Sequence, residues 1–166
     1  YKSGRTAPGQ GGVMGHTASI AGGLTLFESV VRHAGAIVTE DLNTFDDLFY
    51  IAGALHAKKV GGNRLGAMSG AGFEAVAMAD NIESESYAMQ MGALTDETVK
   101  KVEAILAAKK LDQLVEVRNP LDMNPGADDE AHLEISEAFL QDPAIDAVVV
   151  GLDPTAPSVR ALEQSK

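Results

Sequence analysis

Few residues in this chain have types and spacing suited to chemistry, and the first is His16. It sits in Gly15-His16-Thr17-Ala18-Ser19, inside a stretch where Gly4, Gly9, Gly11, Gly12, Gly15, Gly22 and Gly23 crowd together. A neutral imidazole nitrogen is a good nucleophile near physiological pH, its unperturbed pKa being about 6.5. If it attacks phosphorus, the product needs donors around three phosphate oxygens. Glycine N–H groups, a helix N-terminus and small hydroxyls supply these without bulk. Taken alone, a histidine among glycines is more often an ordinary surface residue. His33, His56 and His132 fall on expected helices without glycine neighbours and read as structural or solvated.

A second pattern is Met68-Ser69-Gly70-Ala71-Gly72-Phe73. A strand that ends in Ser-Gly-x-Gly and runs into a helix is a natural anion site at the carboxyl edge of a sheet. A tight strand-to-helix turn that needs small residues explains it equally well. The third pattern, Asn119-Pro120-Leu121-Asp122-Met123-Asn124-Pro125, makes a rigid turn after a strand, and rigidity alone accounts for it. Standard phosphate signatures fail. Gly9-Gln10-Gly11 begins like a dinucleotide loop, but its third glycine falls one place late at Gly15, and no Gly-Lys-Ser/Thr occurs. His and carboxylates are nowhere paired at ligand spacing, so no metal site is expected.

The elements that must position these residues follow from periodicity. So much glycine predicts loop, not helix or strand, over residues 4 to 23. Leu24, Phe27, Val30 and Val31 share helical spacing, closed by Gly35. Ala36 to Thr39 reads as a short buried strand. Asn43 or Thr44 is expected to cap the next helix, with Asp46 and Asp47 in its first turn and Phe45, Leu48, Phe49, Ala52 and Leu55 on one face. Lys58 to Asn63 is the best linker. Beyond it, strands are expected at Arg64–Ser69, Leu114–Val117 and Ala147–Val150, the last covered on both faces. Helices are expected at Phe73–Asn81, from a Thr95 cap through Leu106, and at Asp129–Leu140. Alternating strands and helices predict an α/β fold, with a parallel, flavodoxin-like sheet flanked by helices.

Composition narrows the function classes. The 166 residues are 45% hydrophobic, enough for a core, but only 5% aromatic. A formal net charge of −11 argues against nucleic-acid and anionic-membrane partners. Cysteine is absent, which excludes disulfides and thiolate catalysis. No apolar run approaches the ~20 residues that span a bilayer, and no signal peptide opens the chain, so a cytoplasmic protein is expected. Both ends read as cut from something longer.

Together the segments are more specific than any one of them. Lys2-Ser3-Gly4-Arg5-Thr6, Gly15-His16-Thr17 and Ala21-Gly22 resemble the Lys-x-Gly-Arg…Ser-His-Thr-Gly…Ala-Gly pattern of ADP-forming (NDP-forming) acyl-CoA synthetases, ligases of the succinyl-CoA synthetase kind. Ala34 to Ile37 resembles the family's next segment. Gly62-Asn63-Arg64 through Gly72 resembles the opening of its second flavodoxin-like subdomain. Asn119-Pro120-Leu121-Asp122 and Asp142 to Val150 resemble its Asn-Pro-x-Asp and Asp-Pro-x-Val-Asp-Ala-Val segments.

The resemblance implies two subdomain pieces: residues 1–60 closing the first flavodoxin-like ligase subdomain, and 61–166 opening the second. It also implies a relay. Acyl-CoA and phosphate give acyl phosphate and CoA, and the phosphoryl group passes through His16 to a nucleoside diphosphate. Gly15, Thr17, Ser69, Gly70, Ala71 and Gly72 would hold the phosphate or the acyl carboxylate. The complete enzyme would use CoA, ATP or ADP and Mg²⁺, none bound by this fragment alone. It would also need an ATP-grasp domain or subunit and a CoA-binding Rossmann domain, so the fragment by itself is expected to be inactive. A homo-oligomer is possible for such ligases. Two departures stand out: Ala18 where the family has Gly, and Ser69 where it has Asn. They keep open a non-catalytic reading, either a regulatory, CoA-sensing module or a scaffold for a partner subunit.

Overall fold

The glycine run, expected to be loop, contains a helix. In the computed structural model, which describes residues 1–17, 22–84 and 87–160, residues Ala7–Thr17 form α1. The physical reason lies at its start. Thr6 caps it, its Oγ1 accepting from the Gly9 amide at 3.2 Å while its carbonyl accepts from the Gln10 amide at 2.8 Å. Pro8 sits in the first turn, where its missing N–H costs nothing. The cap, worth about 1 kcal/mol, fixes where the helix starts but does not offset glycines that each cost about 0.8–1.0 kcal/mol relative to alanine, so α1 is a weak helix.

The chain divides into two units, Tyr1–Lys59 and Val60–Lys166. In the first, α1 is followed by α2 (Leu24–His33) and α3 (Leu42–Leu55). Gly35 ends α2 as expected, with φ +85° and its amide donating to the Arg32 carbonyl at 2.9 Å. The strand expected at Ala36–Thr39 does not form. Among the described residues this unit offers no strand to pair with it, and arginines take its carbonyls instead. Arg32 Nη2 donates to the Val38 carbonyl at 3.3 Å and Arg5 Nη1 to that of Thr39 at 3.4 Å. Helix α3 begins earlier than expected, because Asp41 is the better cap. Its Oδ1 accepts from the Thr44 amide and its Oδ2 from the Thr44 hydroxyl, both at 2.8 Å. Asp46 and Asp47 therefore fall beyond the first turn. Phe45 and Phe49 stack with centroids 6.3 Å apart, yet Phe49 stays 69% exposed, so this helix lays no buried face in its own unit.

The second unit is the α/β part. Its elements are β1 (Arg64–Ser69), α4 (Gly72–Asp80), β2 (Glu83–Ser84), β3 (Tyr87–Ala88), β4 (Gln90–Met91), α5 (Asp96–Ala108), β5 (Leu121–Asp122), α6 (Asp129–Gln141) and β6 (Ala147–Gly151). β2 and β3 form a small antiparallel pair. Everything else pairs with β1 in parallel: β6 along its whole length, β4 at Arg64 and Leu65, and β5 at Met68 and Ser69. The Arg64 carbonyl accepts from Asp146 on the β6 side, while the Leu65 and Ser69 carbonyls accept from Gly92 and Met123 on the other. β4 and β5 thus lie end to end along one edge of β1, with β6 on the opposite edge. That gives the 2-1-3 start of a flavodoxin-like sheet.

The gap between β4 and β5 is filled by one side chain. Asn119 Nδ2 donates to the Leu65 and Gly92 carbonyls at 2.7 and 2.8 Å, and its Oδ1 accepts from the Ala67 amide at 2.9 Å. This amide stands in for a missing backbone rung. The strand expected at Leu114–Val117 is displaced: Leu114 is exposed, and pairing starts only after Pro120.

Thr95 caps α5 as expected, through the Thr98 amide, and Asp128 caps α6 through Ala131. Buried Met68, Val102, Leu106, Leu121, Met123, Ile135 and Phe139 form one core between the sheet and α5 and α6. β6 is only partly covered, with the consecutive Val149 and Val150, which point to its two faces, each about 40% exposed, against the expectation of cover on both sides. At the amino edge Arg64 and Asp146 lock β1 to β6. Arg64 Nε and Nη2 each reach a separate carboxylate oxygen at 2.8 Å, and the Arg64 amide adds a third bond at 2.9 Å. Those bonds hold the Asp146 carboxyl down at about 2. No helix among the described residues is long and apolar enough to cross a membrane.

Candidate functional site

His16 lies in the last turn of α1, followed by Thr17 as its final residue, and not in an open loop. Ala18 and Ser19 lie outside the described residues, as do the side chains of Gly15, His16 and Thr17. In that last turn an α-helix bonds each N–H to the carbonyl four residues back. The Gly15 and Thr17 amides are therefore committed, and the end of a helix carries the negative pole of its dipole. As folded here, this segment does not present the anion cradle expected of it. The second candidate segment belongs to the other unit and forms its own site.

There, Ser69 ends β1 at the carboxyl edge and is 1% exposed. Its hydroxyl donates to Glu74 Oε2 at 2.5 Å and accepts from the Ala71 amide at 3.0 Å. The hydroxyl is thus spent on the loop, and its role is to shape the turn. Ala71 is the N-cap of α4 and offers no side-chain bond. Its carbonyl accepts from the Glu74 and Ala75 amides at 3.0 and 3.1 Å. The Gly72 and Phe73 amides, first in the helix, have no helical carbonyl behind them and point the positive pole outward. A Cβ at Gly72 would collide with the Asp122 carboxylate, so any larger residue there would force Asp122 to shift. β5 carries Asp122 beside Ser69, so the strand that Asn119 anchors also fixes this turn.

Beneath the turn lies a cavity of about 160 Å³. Ser69, Gly70, Ala71 and Glu74 line it together with Asn124, Ala127 and His132 and with Asp153, Ala156 and Val159. His132, read from the sequence as structural or solvated, is 7% exposed, and its Nδ1 lies 2.9 Å from the Asp128 carbonyl. Its Nε2 faces the backbone at Gly70, 3.8 Å from where a Cβ would stand. Sequence reasoning missed both Glu74 and His132. Glu74 is close in sequence, but nothing local marks a carboxylate five residues after Ser69, and His132 meets Gly70 only through the fold. Asn119, read as part of a rigid turn, proves structural. Among the described residues no group of three His, Asp or Glu could hold a metal ion.

No family model matches the chain. It is 28% identical over 148 residues to the Pyrococcus furiosus protein named acetate–CoA ligase [ADP-forming] II subunit alpha, a match covering 89% of this chain and 30% of that one. It is 27% identical over 154 residues to acetate–CoA ligase [ADP-forming] II of Archaeoglobus fulgidus, covering 90% of this chain and 21% of that protein. Among solved structures, dinucleotide forming acetyl-coenzyme A synthetase 1 of Ca. Korarchaeum cryptofilum, in complex with phosphate and ADP, superposes with a TM-score of 0.61 at 24% identity. That superposition covers 89% of this chain and 30% of the other. A protein of Pyrococcus horikoshii OT3 gives a TM-score of 0.60 at 24% identity over 78% of this chain and 28% of the other. These structures share the fold. The chain spans less than a third of the length of the curated relatives it matches. Along nearly all of its own length, it resembles a segment of the ADP-forming acyl-CoA ligases.

Proposed function

We propose that this chain is part of an NDP-forming acyl-CoA synthetase, interconverting acyl-CoA, phosphate and ADP with a carboxylic acid, CoA and ATP, and that His16 carries the phosphoryl group between the two half-reactions. The observation behind this reading is the match of 89–90% of the chain to two proteins named as ADP-forming acetate–CoA ligases. On this reading residues 1–60 close one flavodoxin-like ligase subdomain and 61–166 open the next. His16 is the nucleophile candidate in the glycine-rich segment, and a covalent relay splits a hard transfer into two easier ones.

The phosphate-holding role of the remaining residues takes two forms. The Gly72 amide, with Phe73 beside it, supplies an anion pole at α4, while Ser69, Gly70 and Ala71 set the turn that aims it. Gly15 and Thr17 contribute only when the last turn of α1 opens. Gly9, Gly11, Gly12 and Gly15 make that opening cheap, since each weakens the helix by about 0.8–1.0 kcal/mol relative to alanine. Nucleotide, Mg²⁺ and CoA belong on this reading to an ATP-grasp part and a CoA-binding Rossmann part of the same enzyme. The carboxylates described here do not gather into a Mg²⁺ site. A regulatory or scaffold role remains the competing reading, favoured by Ser69 and Ala18 alone.

The test uses the chain within its complete enzyme, with the nucleotide-binding part present. Incubation with γ-phosphate-labelled ATP and Mg²⁺ is expected to leave protein label that is lost in acid, survives alkali and is absent in His16→Ala. If no label appears while nucleotide binding is shown directly, the relay is wrong and the non-catalytic reading takes its place.

A further inference from the structure

Two of the chain's own carboxylates crowd the amino end of α4, where the Gly72 and Phe73 amides have no helical acceptor. On one side Glu74, in the first turn of the helix, reaches back to the end of β1 and accepts from the Ser69 hydroxyl at 2.5 Å. The same oxygen lies against the backbone of Gly151, where a Cβ would collide with it. Ser69 and Gly151 are register partners, so this carboxylate lies across the paired carboxyl ends of β1 and β6. On the other side Asp122 Oδ2 lies against Gly72 in the same way.

The two carboxylates differ in how firmly they are held. Asp122 belongs to β5 and its Oδ1 accepts from the Asn124 amide at 3.1 Å, so it moves only with the strand. Glu74 is exposed, and among the described residues its side chain has one hydrogen bond, from Ser69. Arg118 lines the groove that Gly72 and Asp122 share, but it is largely exposed and faces Glu116 at 3.7 Å. The amino end of a helix attracts anions, and open α/β sheets take their ligands outside the carboxyl ends of the strands. Here the chain's own negative charge stands at both places. A free anion that approaches the Gly72 amide meets like charge.

We infer that Glu74 is a specificity-determining residue of this turn: its carboxylate holds the place of a ligand anion, and a free dianion reaches the Gly72 and Phe73 amides only when Glu74 withdraws from Ser69. The inference rests on the reading of α4 as an anion pole and adds the charge that guards it. Repulsion grows with the charge brought up, so a singly charged group enters more easily than a doubly charged one. Of the two groups this turn could hold, it is suited to a carboxylate over a phosphate dianion.

The full 166-residue chain, labelled with ¹⁵N, is titrated at mildly alkaline pH with inorganic phosphate and separately with acetate, and the amide shifts of Gly72 and Phe73 are followed. Glu74→Gln keeps an acceptor for the Ser69 hydroxyl and removes the charge. It is expected to bind phosphate about tenfold more tightly than the parent chain, and acetate about threefold, because the repulsion scales with the charge brought up. Glu103→Gln takes the same charge from the exposed side of α5 and is expected to change neither affinity. Circular dichroism confirms the fold of both variants. Equal or weaker phosphate binding in Glu74→Gln, an equal gain for the two anions, or the same gain in Glu103→Gln would each overturn the inference. So would the absence of saturable shifts at Gly72 and Phe73 in Glu74→Gln. The titration involves neither nucleotide nor His16, so its failure leaves the phosphoryl relay standing, and an absent label on His16 leaves its result unchanged.

Discussion

Replacing Asn119 by alanine removes three hydrogen bonds at once. The side-chain amide serves the Leu65 carbonyl, the Gly92 carbonyl and the Ala67 amide, at 2.7, 2.8 and 2.9 Å. Ala67 is fully buried and Leu65 nearly so, so water does not easily replace what is lost. At a net 0.5–1.5 kcal/mol per bond, Asn119→Ala should cost about 3 kcal/mol. The isosteric Asn119→Asp is the sharper perturbation. Its carboxylate still accepts from Ala67, but the two donors become an anionic oxygen facing two carbonyls. Destabilisation at neutral pH should match or exceed that of alanine. It should shrink as pH falls and the carboxyl gains a proton that it can donate to one carbonyl. Urea denaturation followed by far-ultraviolet circular dichroism reads both effects, with the slope against urea unchanged if the native state is retained. An alanine variant within about 1 kcal/mol of the parent, or an aspartate variant whose stability does not depend on pH, would refute the account of Asn119 as a substitute rung. Because β5 carries Asp122 against Gly72, either variant should also loosen the turn at Ser69.

Three further outcomes are expected. Gly66→Ala places a Cβ 2.8 Å from Phe139 Cδ2 and 3.3 Å from Ile145 Cγ2. Phe139 is fully buried and cannot withdraw, so denaturation should show a loss of about 1–3 kcal/mol. Asp146, held at about 2 by Arg64 against an ordinary 3.8, adds stability that is full above the ordinary value and is lost as pH falls through the lower one. A melting series should therefore decline between those two limits, and Asp146→Asn should flatten that part of the decline while lowering the neutral-pH melting point. Gly11 and Gly12 have open space where a Cβ would stand. Gly11→Ala and Gly12→Ala should each strengthen α1 by about 0.8–1.0 kcal/mol, read as increased helicity. If the last turn must open for phosphate, they should also slow the labelling of His16.

Local chemistry decided more of the fold than of the site. Thr95 before Asp96 and Glu97 fixed where α5 begins, Gly35 fixed where α2 ends, and the run Ala147–Val150 had no good alternative to a strand. Each of these rests on neighbours within a few residues. The failures have one physical character. Glycine content argued against a helix at Ala7–Thr17, yet the Thr6 cap and Pro8 give one a defined start. Ala36–Thr39 and Leu114–Val117 have strand composition, yet a strand exists only where another offers its edge, and neither finds one. The resemblance carried by Gly15-His16-Thr17 and Ser69 to Gly72 was legible because it is a matter of order along the chain. What the tertiary structure alone decided are the pairings across long separations. Asn119 enters the gap between β4 and β5, Asp122 packs against Gly72, and His132 turns its Nε2 toward Gly70 from 62 residues away. A sequence states which groups can accept and donate, and only the packed chain determines which of them meet.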